Sequence, residues 1–269
     1  IVMFSSHTEE GSERTFEALE QGAVDFIPKP HGDGPGISAI QEEVTKTVRA
    51  SAQAEPGDTD VGTTKEPEEY TDTDATGSVV VVGASTGGPG VVESVVGDLS
   101  PETGIRVAVV QHMPEIFTER LAKRLDKKTG FDAYEASDGD SLGPGECAVA
   151  PGDGHLVFGR HRRGSTRLEI DHGDEVNNVI PSIDVTLNSA ARYIEEDAYA
   201  VILTGMGTDG ARGADRLKRK GGTVLAQSEE TCAVYGIPKA VVENGDADDV
   251  LPPGAMAAEV LRRVQGVEA

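Results

Sequence analysis

Tryptophan, cysteine and long apolar runs are scarce in this 269-residue sequence, which has no Trp, two Cys and 4% aromatic residues. Two distant cysteines, Cys147 and Cys232, do not form the disulfide framework of a small secreted protein, so a reducing cytoplasm is the expected location. No apolar run approaches the roughly 18 residues that a membrane span needs, and no signal-peptide pattern is found. The sequence therefore predicts a cytoplasmic protein with no membrane insertion.

Basic residues are also in short supply, and this excludes one class of partner. Lys and Arg total 24 against 47 Asp and Glu, which gives a formal net charge of -23. Nonspecific binding to nucleic acid is not expected, because phosphate affinity rests on clustered cations. The excess carboxylates are spread along the chain rather than gathered in a tail. This distribution favours a surface adapted to high salt over a site for cationic ligands.

The apolar pattern divides the chain into three regions. Residues 1–52 alternate strand and helix patterns as β-α-β-α, which is too little to bury a sheet on both faces. Residues 53–77 are rich in Glu, Asp, Thr, Gly and Pro, as in an acidic flexible linker. Residues 78–266 hold near-continuous apolar runs between helical patterns. They predict a three-layer, doubly wound, mainly parallel α/β sheet of Rossmann-like type, with a hairpin at 156–171.

Three polar residues follow predicted strands of the third region. Ser85 follows the valine run at 79–82, His112 follows the strand at 105–110, and Asp209 follows the strand at 200–203. In an open parallel sheet, ligands bind outside the carboxyl ends of the strands. We therefore expect the three side chains to meet at one edge of the sheet.

These residue types suit nucleophilic catalysis. Gly83, Ser85 and Gly87 form the Gly-x-Ser-x-Gly pattern of a nucleophile elbow, whose sharp turn exposes the hydroxyl. A serine at its ordinary pKa is a poor nucleophile and needs a base, which His112 would supply while Asp209 fixes the imidazole tautomer. The order Ser, His, Asp differs from that of the α/β-hydrolases, so membership of that family is not expected.

Each residue also has a simpler interpretation. The glycine-rich turn at Ser85 would serve equally to bind a phosphate, His112 would be structural, and Asp209 would cap a helix beginning near Gly210. A dinucleotide site is a second alternative, because residues 205–210 read Gly-x-Gly-x-x-Gly, with Glu229 and Glu230 about 20 residues further on. Against it, Asp209 would put a carboxylate where the pyrophosphate must lie.

The other candidate groups carry weaker signals. His7, His155, His161 and His172 show no zinc-like pairing with cysteines or carboxylates, so metal catalysis has weak support. Both cysteines lie in or beside apolar strands and are interpreted as core residues. The basic cluster at 160–163 is interpreted as a solvated hairpin tip, with a contact for an acidic substrate as the alternative.

The third region resembles the catalytic domain of the CheB family of chemotaxis methylesterases, over residues 79–264. The matching segments are GASTGGP at 83–89, QHMP at 111–114, VAPGDGHL at 149–156, PSIDV at 181–185, LTGMGTDG at 203–210 and VYGIP at 234–238. The first 52 residues resemble the C-terminal part of a flavodoxin-like response-regulator receiver. In that comparison Ser5 is the hydroxyl switch residue, and Lys29 is the lysine that contacts the phosphoryl group.

The resemblance implies a serine hydrolase that acts on chemoreceptor cytoplasmic domains. Its activity would be hydrolysis of glutamyl methyl esters, with deamidation of certain glutamines, and it needs no cofactor. Ser85 would be the nucleophile, His112 the base and Asp209 its orienting partner. The backbone N–H of Met206 would help to form the oxyanion hole, with Thr86 nearby. The alternatives left open are a nucleotide-binding oxidoreductase that uses residues 205–210 and a catalytically silent regulatory module.

The resemblance also implies regulation by phosphorylation, but only for an intact receiver. In the family, the chemotaxis histidine kinase phosphorylates the receiver and relieves its block of the active site. The phosphoacceptor aspartate and acidic metal pocket of a receiver have no counterpart in residues 1–52. We therefore expect this chain to be constitutively active.

Overall fold

The computed structural model describes residues 1–5, 9–29, 41–53, 77–162, 164–194 and 197–266. The first region has the expected order of elements. These are β1 (Val2–Ser5), α1 (Glu9–Glu20), β2 (Asp25–Pro28) and α2 (Gln41–Gln53), with β1 and β2 paired in parallel. Apart from its ends, the predicted linker lies outside the described residues.

The third region alternates strands and helices from Val79 onward. Its strands are β3 (Val79–Ala84), β4 (Arg106–Gln111), β5 (Asp132–Glu135), β6 (Ser141–Leu142), β7 (Glu146–Val149), β8 (His155–Arg162), β9 (Ser165–Asp171), β10 (Ala198–Ile202), β11 (Thr223–Gln227) and β12 (Asp249–Leu251). Its helices are α3 (Gly88–Asp98), α4 (Glu115–Lys128), α5 (Ile183–Tyr193), α6 (Ala211–Arg219), α7 (Ile237–Glu243) and α8 (Pro253–Val264).

In the described part of the chain, seven of these strands form one parallel sheet in the order β12-β11-β10-β3-β4-β7-β5. On one side of β3 the chain adds β4, then β5 at the edge of the sheet, and then β7 between them; it returns to add β10, β11 and β12 on the other side. The strand order therefore reverses at β3, which is where doubly wound sheets place their ligand sites. The predicted fold class is confirmed.

The sheet is covered on both faces, which explains its continuous apolar strands. Alternate residues of β3 face opposite ways: Val80 and Val82 contact a core shared with α3, α4 and α8, whereas Val79 and Val81 contact a core shared with α5, α6 and α7. The predicted hairpin is observed as antiparallel β8 and β9, which form a small sheet with β6. Among the described residues, no helix is long and apolar enough to cross a bilayer.

The N-terminal segment buries two of its phenylalanines against α4. The rings of Phe26 and Phe117 have centroids 4.2 Å apart, and the guanidinium of Arg124 lies 4.9 Å from the ring centroid of Phe16. Phe16 and Phe26 are both buried in the core that α3 and α4 share. The third region thus buries apolar side chains that the two-stranded segment cannot bury with its own elements.

Candidate active site

Ser85 and His112 are the first residues after two neighbouring strands, β3 and β4. Ala84 at the end of β3 is opposite Gln111 at the end of β4, and the N–H of His112 donates to the carbonyl of Ala84 at 3.0 Å. On the other side, the N–H of Ser85 donates to the carbonyl of Thr204, which follows β10, at 3.0 Å. The structure therefore brings the three strand ends to one edge, as the sequence predicts.

Ser85 begins a tight turn that is closed by glycine residues and packed closely against Gly205. Gly87 has a φ of 74°, in the left-handed region, and the N–H of Gly88 returns to the carbonyl of Ser85 at 2.8 Å. A Cβ on Gly205 would lie 2.7 Å from the Cβ of Ser85, so only glycine fits there. Ser85 itself remains partly exposed. The local sequence thus presents the serine at the surface of the sheet edge.

His112 and Asp209 are in direct contact. Nε2 of His112 lies 2.9 Å from Oδ2 of Asp209, and the two side chains are 10% and 3% exposed. An ionised carboxylate only accepts hydrogen bonds, so Nε2 must carry the hydrogen. Nδ1 is then left with a free lone pair for a proton. Within the described residues the hydroxyl of Ser85 makes no hydrogen bond to His112, a separation common in free enzymes whose contacts tighten with substrate.

The carboxylate of Asp209 receives further hydrogen bonds from the start of α5. Oδ1 accepts from the hydroxyl of Ser182 at 2.8 Å and from Nδ2 of Asn177 at 2.7 Å. The backbone N–H of Ile183 donates to Oδ2 at 2.6 Å, and that of Asp184 donates to Oδ1 at 3.3 Å. Burial acts to raise the pKa of Asp209, but its hydrogen bonds with His112, Ser182 and Asn177 outweigh burial and lower the pKa below the usual range.

The simpler interpretation of Asp209 as the cap of the next helix is wrong. Gly210, with a φ of 91°, is the N-cap of α6. The side chain that accepts from an N–H of the first turn of α6 is that of Asp184, whose Oδ1 accepts from Gly213 at 2.7 Å. Asp209 instead turns back to the N-terminus of α5. The helix dipole and free N–H groups there stabilise a negative charge. The same position disfavours the dinucleotide interpretation of residues 205–210, because a carboxylate fixed in this turn would repel a pyrophosphate.

Sequence reasoning missed the groups that hold Asp209. Ser182 and His155 lie inside segments that carry the family resemblance, but no role followed from those segments alone. Buried His155 accepts at Nδ1 from the N–H of Ser182 at 3.0 Å, and its Nε2 contacts the carbonyl of Asp174 at 3.1 Å. Asn177 stands in the left-handed region with a φ of 58°. Nothing in the sequence marks Asn177 as part of the site.

Thr86 and Met206, the two residues expected at the oxyanion hole, lie in two loops that are joined by hydrogen bonds. The hydroxyl of Thr204 donates to the carbonyl of Thr86 at 3.0 Å, and the carbonyl of Gly205 accepts from the N–H groups of Gly236 and Ile237 at 3.0 and 2.8 Å. Among the described residues, the backbone N–H groups of Thr86 and Met206 have no acceptor. Both donors are therefore available to a ligand.

The other predicted residues lie elsewhere. Cys147 is buried and Cys232 only partly so, which corrects the core assignment of Cys232. Burial raises the pKa of the Cys147 thiol to about 12, and burial with the charges of Glu230 and Glu229 does the same for Cys232. Neither thiol is therefore an activated nucleophile.

The described residues next to the basic cluster lie near the amino end of β4, whereas Ser85 follows the carboxyl end of β3. The side chains of residues 161–163 lie outside the described part, but Thr166, beside the hairpin turn, bonds Arg106 at 2.5 Å. Arg106 begins β4, so the turn lies at the opposite edge of the sheet from Ser85. This position disfavours a contact with substrate at the site.

Ser5 and Lys29, the two residues that the resemblance assigns to a receiver, meet at the end of the two-stranded sheet of β1 and β2. Ser5 ends β1, and its carbonyl accepts from the N–H of Lys29 at 2.6 Å. The Ser5 side chain is buried and bonded to the carbonyl of Gly11 at 3.1 Å, whereas Lys29 is exposed. His7 lies outside the described residues. In the part that the structure describes, no three His, Cys, Asp or Glu side chains converge as metal ligands would.

A doubly wound sheet that presents Ser, His and Asp at its strand ends has the arrangement of a serine hydrolase. Residues 80–260 match the family model described as CheB methylesterase. The chain therefore belongs to the CheB methylesterase family.

Similar proteins support this membership. A protein-glutamate methylesterase/protein-glutamine glutaminase of Natronomonas pharaonis is 41% identical over 274 residues, covering 97% of this chain and 76% of that protein. Its counterpart in Halobacterium salinarum is 42% identical, covering 98% and 78%. The crystal structure of the Thermotoga maritima CheB methylesterase catalytic domain is 42% identical with a TM-score of 0.65, covering 70% of this chain and 98% of that one.

Proposed function

We propose that this chain is a protein-glutamate methylesterase that also deamidates protein glutamines, and that its substrates are the signalling helices of chemoreceptors. The names of the similar proteins support the reaction class. The single observation that carries the mechanism is the 2.9 Å contact between His112 and Asp209, beside Ser85 on the adjoining strand end.

In the first step, Oγ of Ser85 attacks the carbonyl carbon of the glutamyl ester. The hydroxyl proton passes to Nδ1 of His112, because Nε2 is already committed to Asp209. The resulting imidazolium is stabilised by the Asp209 carboxylate, whose lowered pKa keeps it ionised. The C–O bond to the methoxy group then breaks, and the leaving group takes the proton from His112 to become methanol.

The tetrahedral intermediate carries a negative oxygen that needs donors. The N–H groups of Thr86 and Met206 are free to supply them, and both belong to backbone fixed by other hydrogen bonds. Donors that are in place before reaction cost no reorganisation when the charge develops. Water then attacks the acyl-enzyme and gives a proton to His112. His112 passes this proton to Oγ of Ser85 as the acyl C–O bond breaks and free glutamate is released. With a glutamine substrate the first leaving group is ammonia.

For regulation, we propose that residues 1–52 are the C-terminal part of a receiver, 53–77 a linker and 78–266 the catalytic domain. A chemotaxis histidine kinase would be the phosphodonor to an intact receiver. The contact of Phe26 with Phe117 supports communication between the parts, because Phe117 lies in the first turn of α4, five residues after His112.

The test is methanol release from methylated receptor signalling domains in high salt. Ser85→Ala should lose several orders of magnitude in rate, since only the oxyanion hole and binding remain. Ser189→Ala is the matched control, because Ser189 is a buried serine of α5 whose bonds, to Phe158 and Thr186, lie away from the site. Release by Ser85→Ala at the parent rate would overturn the mechanism. If neither parent nor variant reacts although both are folded, either the domain requires an intact receiver or it is not an esterase, and the silent regulatory module becomes the favoured alternative.

A further inference from the structure

Gln111 joins the two residues that the proposed mechanism must keep in register. It is the last residue of β4 and is 1% exposed. Its Nε2 donates to the carbonyl of Ser85 at 2.9 Å and to the carbonyl of His112 at 3.3 Å. One amide group therefore spans from β4 to the turn after β3, with one hydrogen for each carbonyl.

The amide oxygen of Gln111 indicates that packing alone does not explain why an amide is found here. Oε1 of Gln111 is buried and has no hydrogen-bond partner among the described residues. It lies against Gly88, where an added Cβ would come within 2.2 Å of it. A buried amide oxygen without a donor is destabilising, and an apolar side chain of the same shape would avoid that cost. The two hydrogen bonds donated by Nε2 are the interactions that offset the cost of the unpaired Oε1.

We propose that Gln111 is a positioning residue that sets the distance between Ser85 and His112, an inference that rests on the proposed function. The two side chains make no hydrogen bond to each other in this structure, so their separation depends on the backbone that carries them. From the β10 side, Ser85 is held by its N–H bond to Thr204 at 3.0 Å. Gln111 is the side-chain tie on the β4 side.

The expected consequence is catalytic rather than structural. The carbonyl of Ser85 keeps its 2.8 Å bond from the N–H of Gly88 when the amide is removed, so the turn remains closed. The contact of His112 with Asp209 is also untouched. The backbone bond from the N–H of His112 to the carbonyl of Ala84 also remains. What is lost is the side-chain bond from Gln111 to the turn that carries Ser85. A misplacement of about 1 Å between reacting groups costs on the order of 100-fold in rate.

The test compares the parent with Gln111→Met, which keeps the length of the side chain but has no donor. We expect kcat for methanol release to fall about 10- to 100-fold with KM changed less than about twofold. The midpoint of the acid limb of the pH profile should not move, because His112 keeps its Asp209 partner. Labelling of Ser85 by a fluorophosphonate, which needs the nucleophile and base but not the protein substrate, should slow in parallel.

Ser189→Ala provides the control for a general loss of buried hydrogen bonds. If Gln111→Met and Ser189→Ala have the same kcat and the same labelling rate, the positioning role is refuted. If Gln111→Met does not fold, Gly88→Ala decides the question, because its methyl group would displace the Gln111 amide while leaving Gln111 in the chain. Parent-like labelling of folded Gly88→Ala would then refute the proposal. Failure of the proposed function itself is distinguishable, because the parent would then release no methanol, or Ser85→Ala would release it at the parent rate.

Discussion

Oδ2 of Asp209 accepts a 2.6 Å hydrogen bond from the backbone N–H of Ile183, at the N-terminus of α5. The same oxygen contacts Nε2 of His112 at 2.9 Å. A helix N-terminus offers N–H groups that have no partner within the helix and the positive end of its dipole. The helix thus fixes the carboxylate, and the carboxylate fixes the imidazole, so the orientation of the proposed base depends on an element far from it in the chain.

Replacement of Asp209 by Asn should remove activity while leaving His112 in place. The amide would present either a donor or a neutral acceptor to Nε2, so the imidazole loses its fixed tautomer and the imidazolium its counter-charge. We expect kcat to fall by about 10³- to 10⁴-fold, by analogy with the triad aspartate of serine proteases. Single-turnover methanol release measures this loss, and a decrease of less than tenfold would contradict the assignment.

Ser182→Ala should weaken both stability and catalysis. Ser182 donates to Asp209 at 2.8 Å and caps α5 by accepting from the N–H of Val185 at 3.4 Å. Loss of a helix cap costs about 1 kcal/mol, and loss of a hydrogen bond to a charged group about 1.5–3 kcal/mol. We expect urea unfolding to show a loss of about 2.5–4 kcal/mol, with kcat reduced about tenfold. Ser189→Ala on the same helix should destabilise without the decrease in kcat.

The lowered pKa of Asp209 predicts a loss of stability in acid. Its native hydrogen bonds favour the ionised form, so the carboxylate stabilises the fold fully at pH values above the ordinary aspartate pKa. That stabilisation disappears as the pH falls through the lowered native value. Urea unfolding of the parent and of Asp209→Asn should therefore differ most near neutral pH and converge in acid. A difference that grows as the pH falls would contradict this sign.

The charge excess predicts that the fold needs salt. With 47 acidic against 24 basic residues, self-repulsion is strong in dilute buffer. Screening lengths shrink from about 10 Å at 0.1 M to about 3 Å at 1 M salt, so added salt should relieve that repulsion. We expect Tm to rise steeply with KCl and the chain to unfold in low salt. Full activity in the absence of added salt would refute the expectation.

A phosphodonor should leave the rate of this chain unchanged. Of the residues that a receiver uses for phosphorylation, residues 1–52 supply only the counterparts of the switch hydroxyl and the lysine, Ser5 and Lys29. Methanol release should therefore be the same with and without a small acyl phosphate. A large rate increase would show that a phosphorylation site exists in these 269 residues and that constitutive activity is wrong.

The sequence alone was enough for the class of fold and for the place of the site. Valine-rich continuous strands such as 79–82 predict a sheet buried on both faces, and parallel strands bring their carboxyl ends to one edge. Ser85, His112 and Asp209 each follow such a strand, so their convergence follows from local pattern and topology. Strand and helix order depends on periodicity within short windows, which a single sequence displays directly.

Only the tertiary structure decided what holds these residues. Ser182 and Asp209 are 27 positions apart, and Gln111 reaches the carbonyl of Ser85 across 26 positions. Such contacts depend on which helix packs over which strand end and on the direction of each side chain, and neither leaves a periodic trace in the sequence. Asp209 shows the difference: a carboxylate before a helix predicts a local cap, but the N-terminus of α5 and His112 lie within reach and bind it instead.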